Sequence, residues 1–197
     1  MDVLGKGIVG GIMFEMKTWV RYLFPTRYFA VYYPTPDSII HRMLKLAEVS
    51  KEDVVYDLGC GDGRVLIAAA KQRGARGVGY ELDRELAQAA ESNVRKENLQ
   101  HLIRIIRGDA SKADVSEASV LALYLSERGN CKLFRDLKPS LQPGTRIVSF
   151  FFTIEGWQRN LIKTDSQDNM SVYLYRVPGI ASKIEDSHQR LNGQTNF

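Results

Sequence analysis

Residues 54–64 read VVYDLGCGDGR, an apolar run followed by an acid and then three alternating glycines. The apolar run predicts a short buried strand, and the glycines predict a sharp turn that leads into a helix. Glycines in such a turn let the backbone approach a ligand without interference from a Cβ atom. Asp57, between the strand and the turn, can accept hydrogen bonds from a ligand's ammonium group or from loop amides. The stretch therefore favours a cofactor that carries a cationic amino-acid group.

A dinucleotide-binding loop is the main alternative for this turn, because its fingerprint is G-x-G-x-x-G. Here the third glycine is Gly63, so the spacing is G-x-G-x-G, and Arg64 stands where the fingerprint needs its last glycine. A pyrophosphate also has no hydrogen to donate to Asp57. A nicotinamide- or flavin-dependent oxidoreductase is therefore disfavoured.

Strands and helices alternate along the chain on both sides of this turn. Apolar periodicity predicts helices over residues 37–47, 65–72 and 84–96. Strands are predicted over residues 54–56, 77–80, 103–106, 119–125 and 145–151, with a closing hairpin over residues 156–163 and 171–177. This alternation predicts an α/β fold with a doubly wound, mostly parallel sheet and helices on both faces. Ligands of such sheets bind at the carboxyl ends of the strands.

Two further acids follow the next two predicted strands. Glu81 lies in GYELD at residues 79–83, where a carboxylate can hold both hydroxyls of a ribose. Asp109 lies in IRGDA at residues 106–110, where it can accept from an adenine amino group, with Ala110 leaving room for the ring. A lone acid after a strand usually forms a turn or caps a helix. Three acids after three successive strands instead match the ammonium, ribose and adenine of one extended ligand.

The composition is that of an ordinary globular protein, with 197 residues and 44% hydrophobic content. The net charge of +4 comes from basic residues scattered among 23 acids, so nucleic acid is not an expected partner. The two cysteines, Cys60 and Cys131, are too few for a disulfide framework, which favours an intracellular location. They form no metal-binding cluster, so no metal is expected. Cys60 is interpreted as a small residue that fills the glycine turn rather than as a reactive thiol.

The chain divides into three predicted parts: an N-terminal arm over residues 1–33, a domain over residues 34–178 and a polar tail over residues 179–197 that is expected to be disordered. Residues 3–24 read VLGKGIVGGIMFEMKTWVRYLF, in which charges interrupt the apolar run too often for a membrane-spanning helix. Two interpretations remain open for this arm. It contacts a membrane surface or partner as an amphipathic helix, or it packs on its own domain.

DLGCGDGR, GYELD and RGDA occur in the order and spacing of class I, seven-strand S-adenosylmethionine-dependent methyltransferases, which this chain resembles over residues 32–177. The resemblance implies a Rossmann-like sheet of six parallel strands and an antiparallel seventh. It also implies S-adenosylmethionine as the cofactor. The residues expected to bind this cofactor are Tyr33, Pro34, Thr35, Asp57, Gly59, Cys60, Gly61, Gly63, Glu81, Leu82, Asp109, Ala110 and Tyr124.

The segment YYPTP at residues 32–36 has two interpretations that are both compatible with the sequence. By the resemblance, Tyr33, Pro34 and Thr35 fold over the methionine end of the cofactor. Alternatively, the prolines only hold an extended lead into the first helix, because a residue before proline avoids helical geometry.

A narrower resemblance joins this segment to GYELD, to LYLS at residues 123–126 and to GTRIVS at residues 144–149. Together they resemble the lysine methyltransferases of the ATP synthase c-subunit and the adenine nucleotide translocase, with their bacterial relatives. The resemblance implies N-methylation of a lysine in a protein substrate and a mitochondrial, membrane-associated location. Members of this group carry an apolar N-terminal segment before the catalytic domain, and residues 3–24 would be its short counterpart in this chain.

The acceptor side of the site is less determined by the sequence. Methyltransferases of amide or nucleobase nitrogens often carry Asn/Asp-Pro-Pro-Tyr/Phe after strand four, whereas this chain has LYLS. Tyr124 and Trp157 are the residues expected near the substrate, and the run Phe150 to Phe152 could line an aromatic channel. A methyltransferase for RNA or a small molecule, and a non-catalytic subunit that keeps the fold, remain alternatives. The sequence predicts no oligomeric state.

Overall fold

The computed structural model describes residues 32–179, so most of the predicted arm and nearly all of the tail lie outside the described residues. The helices are α1 Asp37–Leu46, α2 Arg64–Arg73, α3 Arg84–Lys96 and α4 Glu127–Leu137. The strands are β1 Val54–Leu58, β2 Arg76–Glu81, β3 Ile103–Arg107, β4 Val120–Leu123, β5 Arg146–Phe150, β6 Leu161–Gln167 and β7 Met170–Arg176. No helix within residues 32–179 is both long and apolar enough to cross a membrane.

The strands form one seven-stranded sheet in the order β3-β2-β1-β4-β5-β7-β6. Strands β1 to β5 pair in parallel, and β7 runs antiparallel to both β5 and β6. The predicted doubly wound sheet, with one antiparallel strand, is therefore confirmed. Because the chain leaves β1 on one side towards β2 and β3 and later returns on the other side as β4, a crevice opens where the strand order reverses, at the carboxyl ends of β1 and β4.

Helices cover both faces of the sheet, as predicted, but unequally. Helices α1, α2 and α3 bury their apolar stripes on one face, where Ile40 of α1 and Leu66 of α2 are almost fully enclosed. On the other face α4 contributes Leu133 and Phe134 to a second core, together with the loops around it. Both faces of the central strands are therefore closed to water, and every residue of β1 and β4 is buried.

Two elements differ from the sequence-based expectation. Helix α4 lies in a segment for which no helix is predicted, and its apolar residues Leu133, Phe134 and Leu137 are buried on one side. The first hairpin strand is predicted over residues 156–163, but it begins only at Leu161 and continues to Gln167, because residues 158–160 form a short 3₁₀ turn. The buried indole of Trp157 anchors the chain ahead of that turn, so ladder pairing begins only after it.

A buried polar network ties together the amino ends of the three central strands. Asp53, just before β1, accepts hydrogen bonds from the Ser119 hydroxyl at 2.7 Å and the Ser50 amide at 2.8 Å. The guanidinium of Arg146, at the start of β5, forms an ion pair with the same carboxylate. Burial by itself raises the pKa of Asp53, but the hydrogen bonds from Ser119 and Ser50 and the charge of Arg146 outweigh it, so the pKa lies below its usual value.

We expect Arg146→Met to lower the free energy of unfolding by about 2 to 4 kcal/mol, because it leaves a buried carboxylate unpaired. The pKa of Asp53 is lowered by folding, so its contribution is present above the unfolded pKa and is lost as the pH falls through the folded pKa. The difference between wild type and variant in urea unfolding should therefore shrink at acid pH. Arg176→Met is the matched control, since Arg176 is exposed and pairs with Arg146 across the β5–β7 ladder. Equal destabilisation by both variants would contradict the network.

Candidate functional site

The crevice at the carboxyl ends of β1, β2, β3 and β4 is a pocket lined by nearly all of the residues predicted to bind the cofactor. The predicted residues that line it are Tyr33, Pro34, Thr35, Asp57, Gly59, Cys60, Gly61, Glu81, Leu82, Asp109, Ala110 and Tyr124. Gly63 is the exception. The sheet thus brings together side chains from four strand ends and from the segment ahead of α1.

The glycine turn after β1 has a backbone that L side chains rarely adopt, with φ of 93° at Gly59, 56° at Gly61 and 82° at Gly63. A Cβ atom on Gly61 would lie 2.5 Å from Cε2 of the Tyr32 ring. Any larger residue at position 61 would therefore clash with this ring where it now lies. At Gly63 a Cβ atom would lie 3.2 Å from the Cβ of Ala90 in α3. Gly63 therefore serves the close packing of α2 against α3 rather than the lining of the pocket.

Asp57 is a buried carboxyl group that has no hydrogen-bond partner among residues 32–179. Burial, together with the smaller effects of the negative charges on Glu81 and Asp62, raises its pKa to about 8. A carboxylate in this position is costly to ionise without a cation beside it. The group is thus chemically suited to a ligand that brings a positive charge and hydrogen-bond donors.

Glu81 ends β2 with both carboxylate oxygens fixed by backbone amides. Oε2 accepts from the Gly61 amide and Oε1 from the Asp83 amide, each at 2.8 Å. Burial raises the pKa of Glu81, although these amide hydrogen bonds oppose the shift. The carboxylate faces the pocket in one defined orientation, and each oxygen keeps a lone pair for a ligand hydroxyl.

Asp109 follows β3, where it caps a short 3₁₀ turn. Its Oδ1 accepts from the Ser111 amide at 3.0 Å and from the Ser111 hydroxyl at 2.8 Å. The predicted turn-forming role of such an acid is therefore present at Asp109. Asp109 also lines the pocket beside the buried Ala110 and the half-buried Leu82, so its predicted contact with adenine stays a prediction.

The strap, residues 32–36, is held across the glycine turn by groups that sequence reasoning did not assign to the site. The Arg64 guanidinium pairs with Asp62 at 2.7 Å and donates to the Thr35 carbonyl at 3.3 Å. Burial and the charge of Asp62 raise the pKa of Tyr32, whose ring lies on Gly61. The signal in the sequence is the pair Asp62 and Arg64 in the turn, where the arginine replaces the last glycine of a dinucleotide loop.

The two residues expected near the substrate are separated by the fold. Tyr124, directly after β4, lines the pocket, and its ring centroid lies 4.5 Å from that of Phe150. Trp157 is only 5% exposed, and its ring centroid lies 5.1 Å from that of Phe134 in α4. The indole is therefore part of the core on the α4 face and does not line the pocket.

Cys60 lies in the turn as a buried small residue, as expected. Burial raises the pKa of its thiol well above the ordinary value, and the charges of Asp57 and Glu81 raise it further. The thiol is thus protonated at neutral pH and a poor nucleophile. Within residues 32–179 no three His, Cys, Asp or Glu side chains are grouped so as to hold a metal ion.

A methyltransferase family and two curated lysine methyltransferases are similar to this chain in sequence. The ANTKMT methyltransferase domain family matches residues 57–161. A protein-lysine N-methyltransferase from Saccharolobus islandicus is 42% identical over 149 residues, which cover 74% of this chain and 92% of that protein. A lysine N-methyltransferase of the ATP synthase c-subunit from Xenopus laevis is 28% identical over 158 residues, which cover 80% of this chain and 68% of that protein.

Solved structures of methyltransferases share the fold of this chain. A crystal structure of an RNA methyltransferase from Salinibacter ruber in complex with S-adenosyl-L-homocysteine has a TM-score of 0.71 and 42% sequence identity, covering 74% of this chain and 94% of that one. A methyltransferase structure from Thiobacillus denitrificans, at 21% identity and a TM-score of 0.54, is similar in fold alone.

We expect Asp57→Asn to weaken binding of S-adenosylmethionine strongly while stabilising the protein without ligand. The folded pKa of Asp57 is raised, so the carboxyl costs least stability below the unfolded pKa and opposes folding increasingly as the pH rises from there towards about 8. Removing this cost should raise the free energy of unfolding at neutral pH by about 1 to 3 kcal/mol. Thermal unfolding measures the stability, and calorimetric titration measures the affinity.

The pH dependence of binding provides a second readout of the same carboxyl group. In the wild type, affinity for S-adenosylmethionine should increase up to about pH 8, as Asp57 ionises, and the variant should lose this dependence. Asp114→Asn is the control, because Asp114 is an exposed acid outside the pocket. Unchanged affinity in Asp57→Asn would show that the carboxyl does not contact the ligand.

Proposed function

Since the chain belongs to the ANTKMT methyltransferase domain family and is an S-adenosylmethionine-dependent methyltransferase, we propose that its acceptor is the side-chain nitrogen of a lysine in a protein. The observation that supports this acceptor best is the relative from Saccharolobus islandicus, a protein-lysine N-methyltransferase aligned over 92% of its length. The Xenopus relative, named for lysine methylation of the ATP synthase c-subunit, supports the same chemistry.

The cofactor supplies a methyl group on a positively charged sulfonium, together with an ammonium, a ribose and an adenine. In this proposal the unpartnered Asp57 holds the ammonium, and Glu81 holds the ribose hydroxyls with its remaining lone pairs. Asp109 and Ala110 are assigned to the adenine end of the pocket. The strap closes over the turn and excludes water from the methionine end, which strengthens each charged contact beneath it.

The acceptor amine must be neutral before it can attack a methyl group. A free lysine has a pKa near ~10.4, and apolar surroundings lower it because they disfavour the charged form. Tyr124, whose ring lies 4.5 Å from that of Phe150 between centroids, provides such surroundings in the pocket. Burial also raises the pKa of Tyr124, so its phenol stays protonated and its oxygen can accept a hydrogen bond from the amine. We assign Tyr124 to orienting the nitrogen lone pair.

RNA is the second candidate acceptor, because the similar Salinibacter ruber structure is described as an RNA methyltransferase. Two features of this chain favour a protein instead. The segment LYLS at residues 123–126 stands where nucleobase enzymes often carry Asn/Asp-Pro-Pro-Tyr/Phe. The basic residues are also scattered along the sequence rather than gathered in a block, as an RNA-binding surface usually requires.

We expect the purified chain to transfer labelled methyl groups from S-adenosylmethionine to protein as methyllysine. The substrates are two cell extracts, one treated with ribonuclease to remove RNA and one treated with protease to remove protein, and the detergent-solubilised c-ring of ATP synthase. Amino-acid and nucleoside analysis identifies the labelled product. Tyr124→Phe should lower kcat by about tenfold, because the acceptor loses its orienting hydrogen bond. Tyr173→Phe is the control, since Tyr173 lies on β7 and does not line the pocket.

Each other result of this assay excludes the lysine proposal in a specific way. Label in methylated nucleosides would establish RNA as the acceptor. Binding of S-adenosylmethionine without label in protein or RNA would point to a small-molecule acceptor or to a non-catalytic subunit.

We further propose that the N-terminal arm binds to a membrane surface. Residues 3–24 combine aromatic and apolar side chains with Lys17 and Arg21, a composition suited to an anionic lipid surface. We expect the full chain to sediment with phosphatidylserine-containing vesicles and much less with phosphatidylcholine alone. Lys17→Glu with Arg21→Glu should abolish sedimentation, whereas Lys51→Glu with Arg84→Glu, an equal charge change on the domain, should not. Equal losses would mean that net charge alone drives binding.

A further inference from the structure

Phe151, the residue that follows β5, has a backbone conformation that is unusual for an aromatic residue. Its φ is 67°, in the left-handed region that favours glycine. The Phe152 amide donates to the Phe150 carbonyl at 2.8 Å, which closes a three-residue γ-turn around Phe151. A γ-turn with positive φ at its centre is rare and strained. Glycine would adopt it without cost, yet the chain has phenylalanine here.

The turn is held firmly by its neighbours. The Phe151 amide donates to the Ser171 carbonyl of β7 at 2.8 Å, and the buried Ser149 hydroxyl donates to the Phe152 carbonyl at 2.7 Å. Farther along the loop, the fully buried Ile154 is fixed by a hydrogen bond from its amide to the Tyr175 hydroxyl at 3.2 Å. The position of Phe151 is therefore determined by the fold rather than left to a loose loop.

Despite this fixed position, the Phe151 side chain is 51% exposed. About half of the surface of this residue thus stays in contact with water after folding, and its backbone conformation costs stability. Strained residues of this kind concentrate at sites where a ligand is bound. Within the fold the ring packs edge-to-face against Phe150 and Phe152, at 6.1 and 5.0 Å between ring centroids, and its exposed part is available to a ligand.

A row of aromatic rings connects Phe151 to the pocket. Tyr124, which lines the pocket, lies 4.5 Å from Phe150 between ring centroids, and Phe150 lies 6.1 Å from Phe151 in an edge-to-face arrangement. Tyr33 of the strap is exposed and lines the same pocket as Tyr124. Two exposed aromatic side chains, Tyr33 and Phe151, thus belong to the surroundings of Tyr124.

We propose that Phe151 is a specificity-determining residue of the acceptor site, whose exposed ring binds the cationic ammonium of lysine and of its methylated forms before they reach Tyr124. The proposal rests on the lysine acceptor of the proposed function. An aromatic face attracts an ammonium ion through its quadrupole, and methylated ammonium groups are recognised in this way. The γ-turn around Phe151 holds the ring at the surface of the protein.

The first test measures cation binding directly and needs no identified substrate. 4-Fluorophenylalanine is placed at position 151 alone in the full chain, with S-adenosyl-L-homocysteine present, and its fluorine resonance is followed by NMR. The probes are Nα-acetyl-Nε-trimethyllysine amide and its neutral isostere, in which carbon replaces the charged nitrogen. We expect the cationic probe to shift the resonance in a saturable manner and the neutral probe to have no effect. Equal shifts, or none, would overturn the proposal.

The second test uses turnover of the protein substrate labelled by the wild type. Phe151→Gly should raise KM for that substrate by about tenfold, with kcat and cofactor affinity within twofold of wild type and thermal stability unchanged or higher. Phe151→Trp should preserve KM, whereas Phe151→Leu should behave like the glycine variant because it lacks a ring. Ile162→Ala is the matched control, since Ile162 is 52% exposed on the edge strand β6, and its KM should equal that of wild type.

The two tests separate this inference from the proposed function. Lysine methylation with an unchanged KM in Phe151→Gly would overturn the role of Phe151 and leave the lysine acceptor in place. Selective binding of the trimethyllysine probe without lysine methylation would overturn the lysine acceptor and leave a cation site at Phe151.

Discussion

The hydrogen bond from the Gly61 amide to the Glu81 carboxylate, at 2.8 Å, joins the glycine turn after β1 to the end of β2. The amides of Gly59 and Cys60 both donate to the Tyr80 carbonyl and strengthen the same connection. Because the turn is fixed against β2, Asp57 and Glu81 face one cavity, and the Tyr32 ring can lie directly on Gly61. The geometry of the pocket thus follows from a backbone turn that only glycines can form.

The electrostatics of the site oppose the stability of the fold. The polar network at the amino ends of the strands pairs the charge of Asp53 with that of Arg146. At the carboxyl ends, by contrast, Asp57 and Glu81 are buried with raised pKa values, and Asp57 has no partner among the described residues. Such an arrangement is expected where function requires buried charged groups that lower the stability of the fold. The two ends of the same strands therefore serve different purposes.

The sequence predicted well those features that depend on residues close together in the chain. The glycine turn, the sheet and the pocket positions of Asp57, Glu81 and Asp109 follow from short motifs placed after predicted strands. Trp157 illustrates what such motifs miss, because its burial depends on Phe134 of α4, a helix that was not predicted. The strap contact between Arg64 and the Thr35 carbonyl likewise joins segments far apart in sequence.

Backbone conformation was the other feature that could not be predicted from the sequence. A glycine signals positive φ by its identity, as at Gly59 and Gly61. Phe151 gives no such signal, since the run Phe150 to Phe152 reads as a continuation of a buried strand. The strand instead ends in a γ-turn that the Ser149 hydroxyl and the Ser171 carbonyl hold in place. Only the three-dimensional structure distinguishes the exposed ring of Phe151 from the buried ring of Phe150.

The unpartnered carboxyl group of Asp57 also bears on the lifetime of the protein in a cell. A chain with an empty pocket bears the cost of that buried acid, whereas a loaded chain gains stability from binding, by about 2.7 kcal/mol at a hundredfold excess of ligand over its Kd. Proteases act on the transiently unfolded fraction, which is larger in the empty chain. We therefore expect the empty chain to be degraded faster than the loaded one, so that the abundance of this enzyme falls when its methyl donor is scarce.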